Sequence, residues 1–124
     1  MPSTTYTISE LAKEFNITPR TIRFYEDQEL LAPVRDGQHR IYSPGDRVRL
    51  KLIVRGKRLG FSLSESKDVI RLYDPTSSNK RQLEAMLTTI DESRQRLQQQ
   101  MKDIRAMKKE LDDAEQRCLK ALNT

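Results

Sequence analysis

Tryptophan is absent from these 124 residues, cysteine and histidine occur once each, and glycine only four times. A lone cysteine excludes an intrachain disulfide, and one histidine with one cysteine makes no ligand cluster, so no metal is expected. No apolar run approaches the roughly 20 residues that span a bilayer, so no membrane partner is expected. No basic-then-apolar leader opens the chain, and the expected location is cytoplasmic. Nucleophile elbows and phosphate loops are missing too, so neither an enzyme nor a cofactor is expected. With 35% apolar and 33% charged residues, the core must be small, a balance that suits a long helix whose apolar side chains form only a seam.

The net charge is +5 and unevenly placed. Residues 1–73 carry 13 Lys/Arg against 9 Asp/Glu, and residues 74–124 carry 10 against 9. From Arg35 to Arg58 there are eight basic residues and two acids, Asp36 and Asp46. A phosphate-facing patch in the first part is the natural inference; charge alone suits a polyanionic partner and a solvated surface equally, and the helix pattern that follows narrows the partner to double-stranded DNA.

Thr7 to Asp27 reads as two short helices split by a tight turn. Ile8, Leu11, Ala12 and Phe15 take the spacing of one buried helical stripe, and Thr7 with Glu10 forms a capping box. Thr18-Pro19 then restarts a helix, with Thr as N-cap and Pro at the first position. Arg20, Thr21 and Arg23 project from its N-terminal part. Two short helices so joined, the second with exposed arginines near its start, place a recognition helix in the major groove. Tyr6, just before them, either packs on the first helix or touches DNA backbone.

Two β-prone arms follow, Leu30–Arg35 and Arg40–Tyr42, around Asp36-Gly37-Gln38-His39. That is a hairpin signal, with Pro33 marking an edge strand, and it forms a wing. Ser43-Pro44-Gly45-Asp46 starts a third helix that runs to about Leu59. Its expected apolar face is Val48, Leu52, Ile53 and Leu59, and its basic face Arg47, Lys51, Arg55 and Arg58. Gly60 is a left-handed cap, and Ser62 with Glu65 caps a fourth helix through Tyr73, buried by Leu63, Val69, Ile70 and in part Leu72. Asp74–Asn79 then breaks the helical pattern.

From Lys80 to Leu122 there is neither Gly nor Pro, and Leu83, Ile90, Leu97, Ile104, Leu111 and Cys118 recur every seventh residue. Four residues on, Leu87, Met101 and Leu122 alternate with Arg94, Lys108 and Glu115, while Met86, Met107, Ala114 and Ala121 widen the stripe. A helix of some 40 residues would reach roughly 60 Å. It is too long to bury that seam on a small domain, so it needs a partner, most simply the same helix of a second chain. The expected organisation is a DNA-binding domain over 1–74, a linker over 75–79 and a coiled-coil dimerisation helix over 80–124, mainly α in class.

These pieces resemble the MerR family of transcriptional regulators. The likeness rests on YTISELA from Tyr6, TPRTIRFYE from Thr18, the wing ending Arg40-Ile41-Tyr42, LGFSL from Leu59, and the long terminal helix. It implies a winged helix-turn-helix, an antiparallel two-helix coiled coil between protomers, and a homodimer that distorts an overlong promoter spacer so that RNA polymerase engages both elements. The length and the DGQHRIY wing are similar to the LiuR-like branch, which controls branched-chain amino acid and isovalerate degradation genes. Metal-sensing members carry paired cysteines after the dimerisation helix and often one at its start; here position 80 is Lys and the sole cysteine, Cys118, lies in the seam. Glu29 stands where Gly is common, and Gln38-His39 where an aromatic is common.

The candidate DNA contacts are Thr18, Arg20, Thr21, Arg23 and Tyr25 on the second helix, Arg35, His39, Arg40 and Tyr42 in the wing, and Lys57 and Arg58 on the third helix. Strand packing is the competing role for Arg40 and Tyr42. The candidate dimer contacts are Leu83, Leu87, Ile90, Leu97, Met101, Ile104, Leu111 and Cys118, the cysteine as a small hydrophobe. Two rival functions remain at this point: a ligand-free architectural DNA-binding protein or repressor, and a coiled-coil interaction adaptor.

Overall fold

The computed structural model describes residues 4–124; of the polar lead, Met1–Ser3 lie outside the described residues. The elements run β1 (Tyr6–Thr7), α1 (Ile8–Phe15), α2 (Pro19–Asp27), β2 (Val34–Asp36), β3 (His39–Tyr42), α3 (Pro44–Arg58), α4 (Leu63–Arg71) and α5 (Lys80–Leu122). Two compact units divide the chain, Met1–Thr89 and Ile90–Thr124.

Each of the first four helices starts where a side chain satisfies otherwise orphaned N–H groups. Thr7 and Glu10 exchange hydrogen bonds of 3.1 and 2.9 Å, and Ser62 and Glu65 exchange bonds of 3.1 and 3.0 Å. Thr18 Oγ1 accepts from the Thr21 N–H at 3.1 Å. On α3 the box is closed by Asp46, which returns a hydrogen bond from the Ser43 N–H. That carboxylate is 2% exposed and also accepts from the Ala32 N–H and Arg49. A buried acid thus joins the segment before the wing to the start of α3.

Hydrophobic burial holds the first unit together. Leu11, Ile22, Tyr25, Leu30, Leu31, Tyr42, Leu50, Ile53 and Ile70 form its centre, and each fully buried aliphatic side chain contributes about 1.5–3 kcal/mol. The wing belongs to a three-stranded sheet of order β1-β3-β2. Asp36 pairs with His39, so the hairpin loop is Gly37-Gln38, with Gly37 at φ +63°. Tyr6 pairs with Tyr42 across the other edge of β3, and its half-buried side chain packs against the core.

Three expectations need correcting. Of the expected apolar face of α3 only Ile53 is fully buried, in a stripe with Asp46, Leu50 and Gly56; Val48 and Leu52 are only half-buried. Leu59 is 55% exposed because it follows the last helical residue and leaves the stripe. α4 ends at Arg71 rather than Tyr73. Gly56 is where α3 and α4 come closest: a Cβ there would sit 2.9 Å from Ser66 Oγ and 3.1 Å from the Phe61 ring.

α2 ends in a tight turn in which the Leu30 N–H donates to the Tyr25 carbonyl at 3.0 Å. Glu29 occupies the left-handed position of that turn, φ +63°, which accounts physically for a preference for glycine there. Beyond Ile90 the second unit is helix through Leu122. Leu97, Met101, Ile104, Met107, Leu111, Leu119 and Leu122 are all at least 46% exposed, and Cys118 is exposed as well. Among the described residues no helix is long and apolar enough to cross a membrane.

Candidate nucleic-acid interface

The eleven expected DNA residues fall into distinct places. Thr18, Thr21, Tyr25, Lys57 and Arg58 line one open cleft, with Phe15 to Ile17 and Val54 completing it. This cleft joins the N-terminal turn of α2 to the last turn of α3. The helix start presents the positive end of its dipole, which attracts phosphate, although Pro19 has no N–H and the Thr21 and Ile22 N–H groups are already held by Thr18. Thr18 and Thr21 are joined at 2.9 Å through their hydroxyls, so the cap is preset.

Arg20 and Arg23 project from α2 outside this cleft. Both are exposed, and neither makes an ion pair or hydrogen bond among the described residues. Their guanidinium groups are available for the bidentate geometry that guanine or phosphate requires.

The wing forms a second site. Gln38, His39 and Arg40 line a groove with Thr7, Ile8 and Ser9 at the start of α1. Its arginines are not free: Arg40 Nε lies 2.8 Å from Glu26 Oε2, and an Arg35 nitrogen 3.5 Å from Glu26 Oε1. Glu26 on α2 therefore anchors both arms of the wing to the recognition helix. Sequence reasoning missed this role, although an acid following the Arg23–Tyr25 stretch, with two wing arginines downstream, was a usable signal.

Other ion pairs narrow the basic patch. Arg47 pairs with Glu14 through two nitrogens and lies over the rings of Tyr6 and Phe15 at 5.8 and 6.0 Å. The Arg47 hydrogen bonds hold the Glu14 carboxyl below its ordinary value. Arg49 is 3.4 Å from Asp46 and 5.4 Å from the Tyr73 ring centre. Arg35, Arg40, Arg47 and Arg49 are thus committed internally, whereas Lys51, Arg55, Lys57 and Arg58 make no ion pair among the described residues. The free positive charge is concentrated on the later turns of α3.

Two expected contacts are corrected by burial. Tyr25 is 5% exposed and Tyr42 0%, both in the core. Their large apolar rings gain more from packing than a surface position would give. No hydrogen-bond partner reaches the buried Tyr42 hydroxyl among the described residues. Burial, reinforced by the Glu26 charge, pushes its pKa up to about 12, although Glu26 is not placed as an acceptor.

The dimer candidates are outward-facing in the single chain: Leu83, Leu87, Leu97, Met101, Ile104 and Leu111 are 51–69% exposed, Cys118 is exposed, and Ile90 is half-buried. No group of three His, Cys, Asp or Glu side chains capable of holding a metal occurs among the described residues.

Comparison with known proteins agrees with this architecture. Residues 6–73 match the family described as MerR HTH family regulatory protein, and residues 47–114 match that described as MerR, DNA binding. The HTH-type transcriptional regulator ZntR of Escherichia coli K12 is 36% identical over 121 residues, covering 95% of this chain and 78% of ZntR. The transcription regulator PbrR691 of Ralstonia metallidurans CH34, solved with lead(II), superposes with a TM-score of 0.68 at 30% identity, over 86% of this chain and 81% of that one. HiNmlR, solved on promoter DNA, shares the fold with a TM-score of 0.59 at 23% identity, over 80% and 76% of the two chains. A winged helix-turn-helix with its free cations beside the recognition helix, followed by a long helix and matched by these relatives across nearly its full length, places the chain in the MerR family of DNA-binding transcriptional regulators.

Proposed function

We propose that two copies pair through antiparallel α5 helices, set their α2 helices into successive major grooves of a pseudo-palindromic promoter, and distort its spacer so that RNA polymerase engages both promoter elements. The functional division is a DNA-binding domain to residue 74, a linker over 75–79 and a dimerisation helix from 80. One observation carries the reading: Thr18, Thr21, Lys57 and Arg58 surround a single cleft at the N-terminus of α2.

In this scheme Arg20 and Arg23 read base edges or phosphates, and Thr18, Thr21, Lys57 and Arg58 hold the adjacent backbone. His39, with Arg35 and Arg40 as positioned by Glu26, grips the flanking backbone through the wing. The seam Leu83, Leu87, Ile90, Leu97, Met101, Ile104, Leu111 and Cys118 closes the dimer. The protein acts by binding and bending, without a catalytic step, in the cytoplasm where its DNA lies. The length and wing sequence further favour promoters of branched-chain amino acid and isovalerate degradation genes, which footprinting upstream of such genes would test.

The direct test compares a palindromic promoter fragment with scrambled duplex at physiological salt. The native chain should favour the fragment by at least about a thousandfold. Arg20→Glu with Arg23→Glu should abolish the preference while leaving the dimer mass unchanged. Equal affinity of the native chain for both duplexes would overturn the reading.

A further inference from the structure

A recess of about 330 Å³ lies between α2, α3 and α4, next to the phosphate cleft with which it shares Tyr25 and Lys57. Phe24 and Tyr25 of α2, Phe61, and Leu63 of α4 give it apolar walls; Lys57 of α3 and Ser66 of α4 are polar groups on its lining. Phe24 is 46% exposed, so apolar surface is left uncovered on the recognition helix. Ser66 is only 7% exposed. Lys57 has no ion-pair partner there, and no acid lines the recess. Its volume sits at the low end for small-molecule pockets, which pair apolar walls with few polar groups.

We infer that this recess binds a small amphipathic carboxylate, an apolar tail ending in one anionic group, and that its occupation weakens DNA binding by drawing Lys57 away from phosphate. The tail packs against Phe24, Phe61 and Leu63, and the carboxylate accepts from the Lys57 ammonium and the Ser66 hydroxyl on the lining. Lys57 and Tyr25 line both the recess and the phosphate cleft. One ammonium serves two anions, so ligand and DNA compete for it and the coupling is negative and reciprocal. This coupling rests on the DNA-facing role of Lys57 proposed above.

The test uses the full chain with 5-phenylvalerate and, as its uncharged counterpart, 5-phenylpentan-1-ol. Without DNA, the acid should shift the ring resonances of Phe24, Tyr25 and Phe61 and bind about fivefold more tightly than the alcohol. At saturation it should weaken operator binding about fivefold. Lys57→Met has already lost the shared contact and should show no further weakening. Leu63→Trp, which fills the recess, should keep operator affinity and lose the response; should it fail to fold, the Lys57→Met comparison decides alone.

Equal binding of acid and alcohol would overturn the proposal, as would weakening of DNA binding that persists in folded Leu63→Trp. Ring shifts that follow protein concentration without any probe would assign the recess to a second copy of the chain instead. A chain that shows no operator preference before the probe is added sinks the DNA reading and the coupling with it, and the ring shifts alone then judge the recess.

Discussion

The unit up to Thr89 and the helical unit from Ile90 treat their apolar residues in opposite ways. In the first, Leu11, Ile22, Tyr42 and Leu50 are fully enclosed, each short helix is capped by its own side chains, and the acid Asp46 is satisfied by several donors. In the second, Leu97, Ile104 and Leu111 face outward, with exposures of 56%, 51% and 69%. The first unit encloses its own core. The second leaves its apolar face bare, although packing of such a face supplies most helix stability in proteins, which is why the proposed dimer pairs it with a second copy. The core of the reader is therefore an internal matter, whereas in the proposed dimer the spacing of two readers depends on concentration.

The largest effect should come from breaking the second unit alone. Leu97→Glu with Ile104→Glu places charges in the stripe; sedimentation should show a monomer, and circular dichroism a loss of helix confined to α5. Operator affinity should then fall about a hundredfold or more, since two linked half-site contacts become one.

Breaking the first unit should leave the mass of the dimer unchanged. Asp46→Ala removes the return bond of the α3 capping box and strands the Ser43 and Ala32 N–H groups, for a cost of roughly 2–4 kcal/mol in a urea melt.

A smaller effect follows alkaline pH. The Tyr42 hydroxyl keeps its proton to about pH 12, whereas its ordinary value is 10.0. Between those values the unfolded chain releases a proton that the folded chain retains, so stability falls as pH rises. The loss attributable to this group is roughly 2–3 kcal/mol and should vanish in Tyr42→Phe, read as the difference between the two melts.

The smallest effect should be a gain. Glu29→Gly relieves a left-handed backbone and should raise stability by about 0.5–1 kcal/mol in the same melt. It touches neither α5 nor the cleft, so dimer mass and operator affinity should hold.

What the sequence revealed follows the same division between local and distant causes. Helix starts at Thr7, Thr18, Ser43 and Ser62 were legible because a cap and its partner lie three residues apart. The bounds Lys80–Leu122 were legible because heptad spacing and the absence of Gly and Pro are local properties. Strand β1 was not, since two residues make a strand only by pairing with β3, some 35 positions on. The same holds for Tyr25 and Tyr42: an aromatic beside arginines reads as a surface contact until the helices close over it. Pairing by Glu14 and Glu26 likewise withdrew Arg47, Arg35 and Arg40 from the free basic patch; Glu26 beside the wing arginines was a usable signal, but nothing in the spacing joins Glu14 to Arg47, 33 positions on. For the candidate site, the sequence named the charged residues, and the fold decided which remain available.

The most direct test is to measure the mass of the full chain by equilibrium sedimentation at the concentrations at which it occupies its operator. A dimer in solution, with two protomers on each site, is the predicted result. A monomer that binds the same operator with undiminished affinity would contradict the claim that paired α5 helices set the distance between two recognition helices.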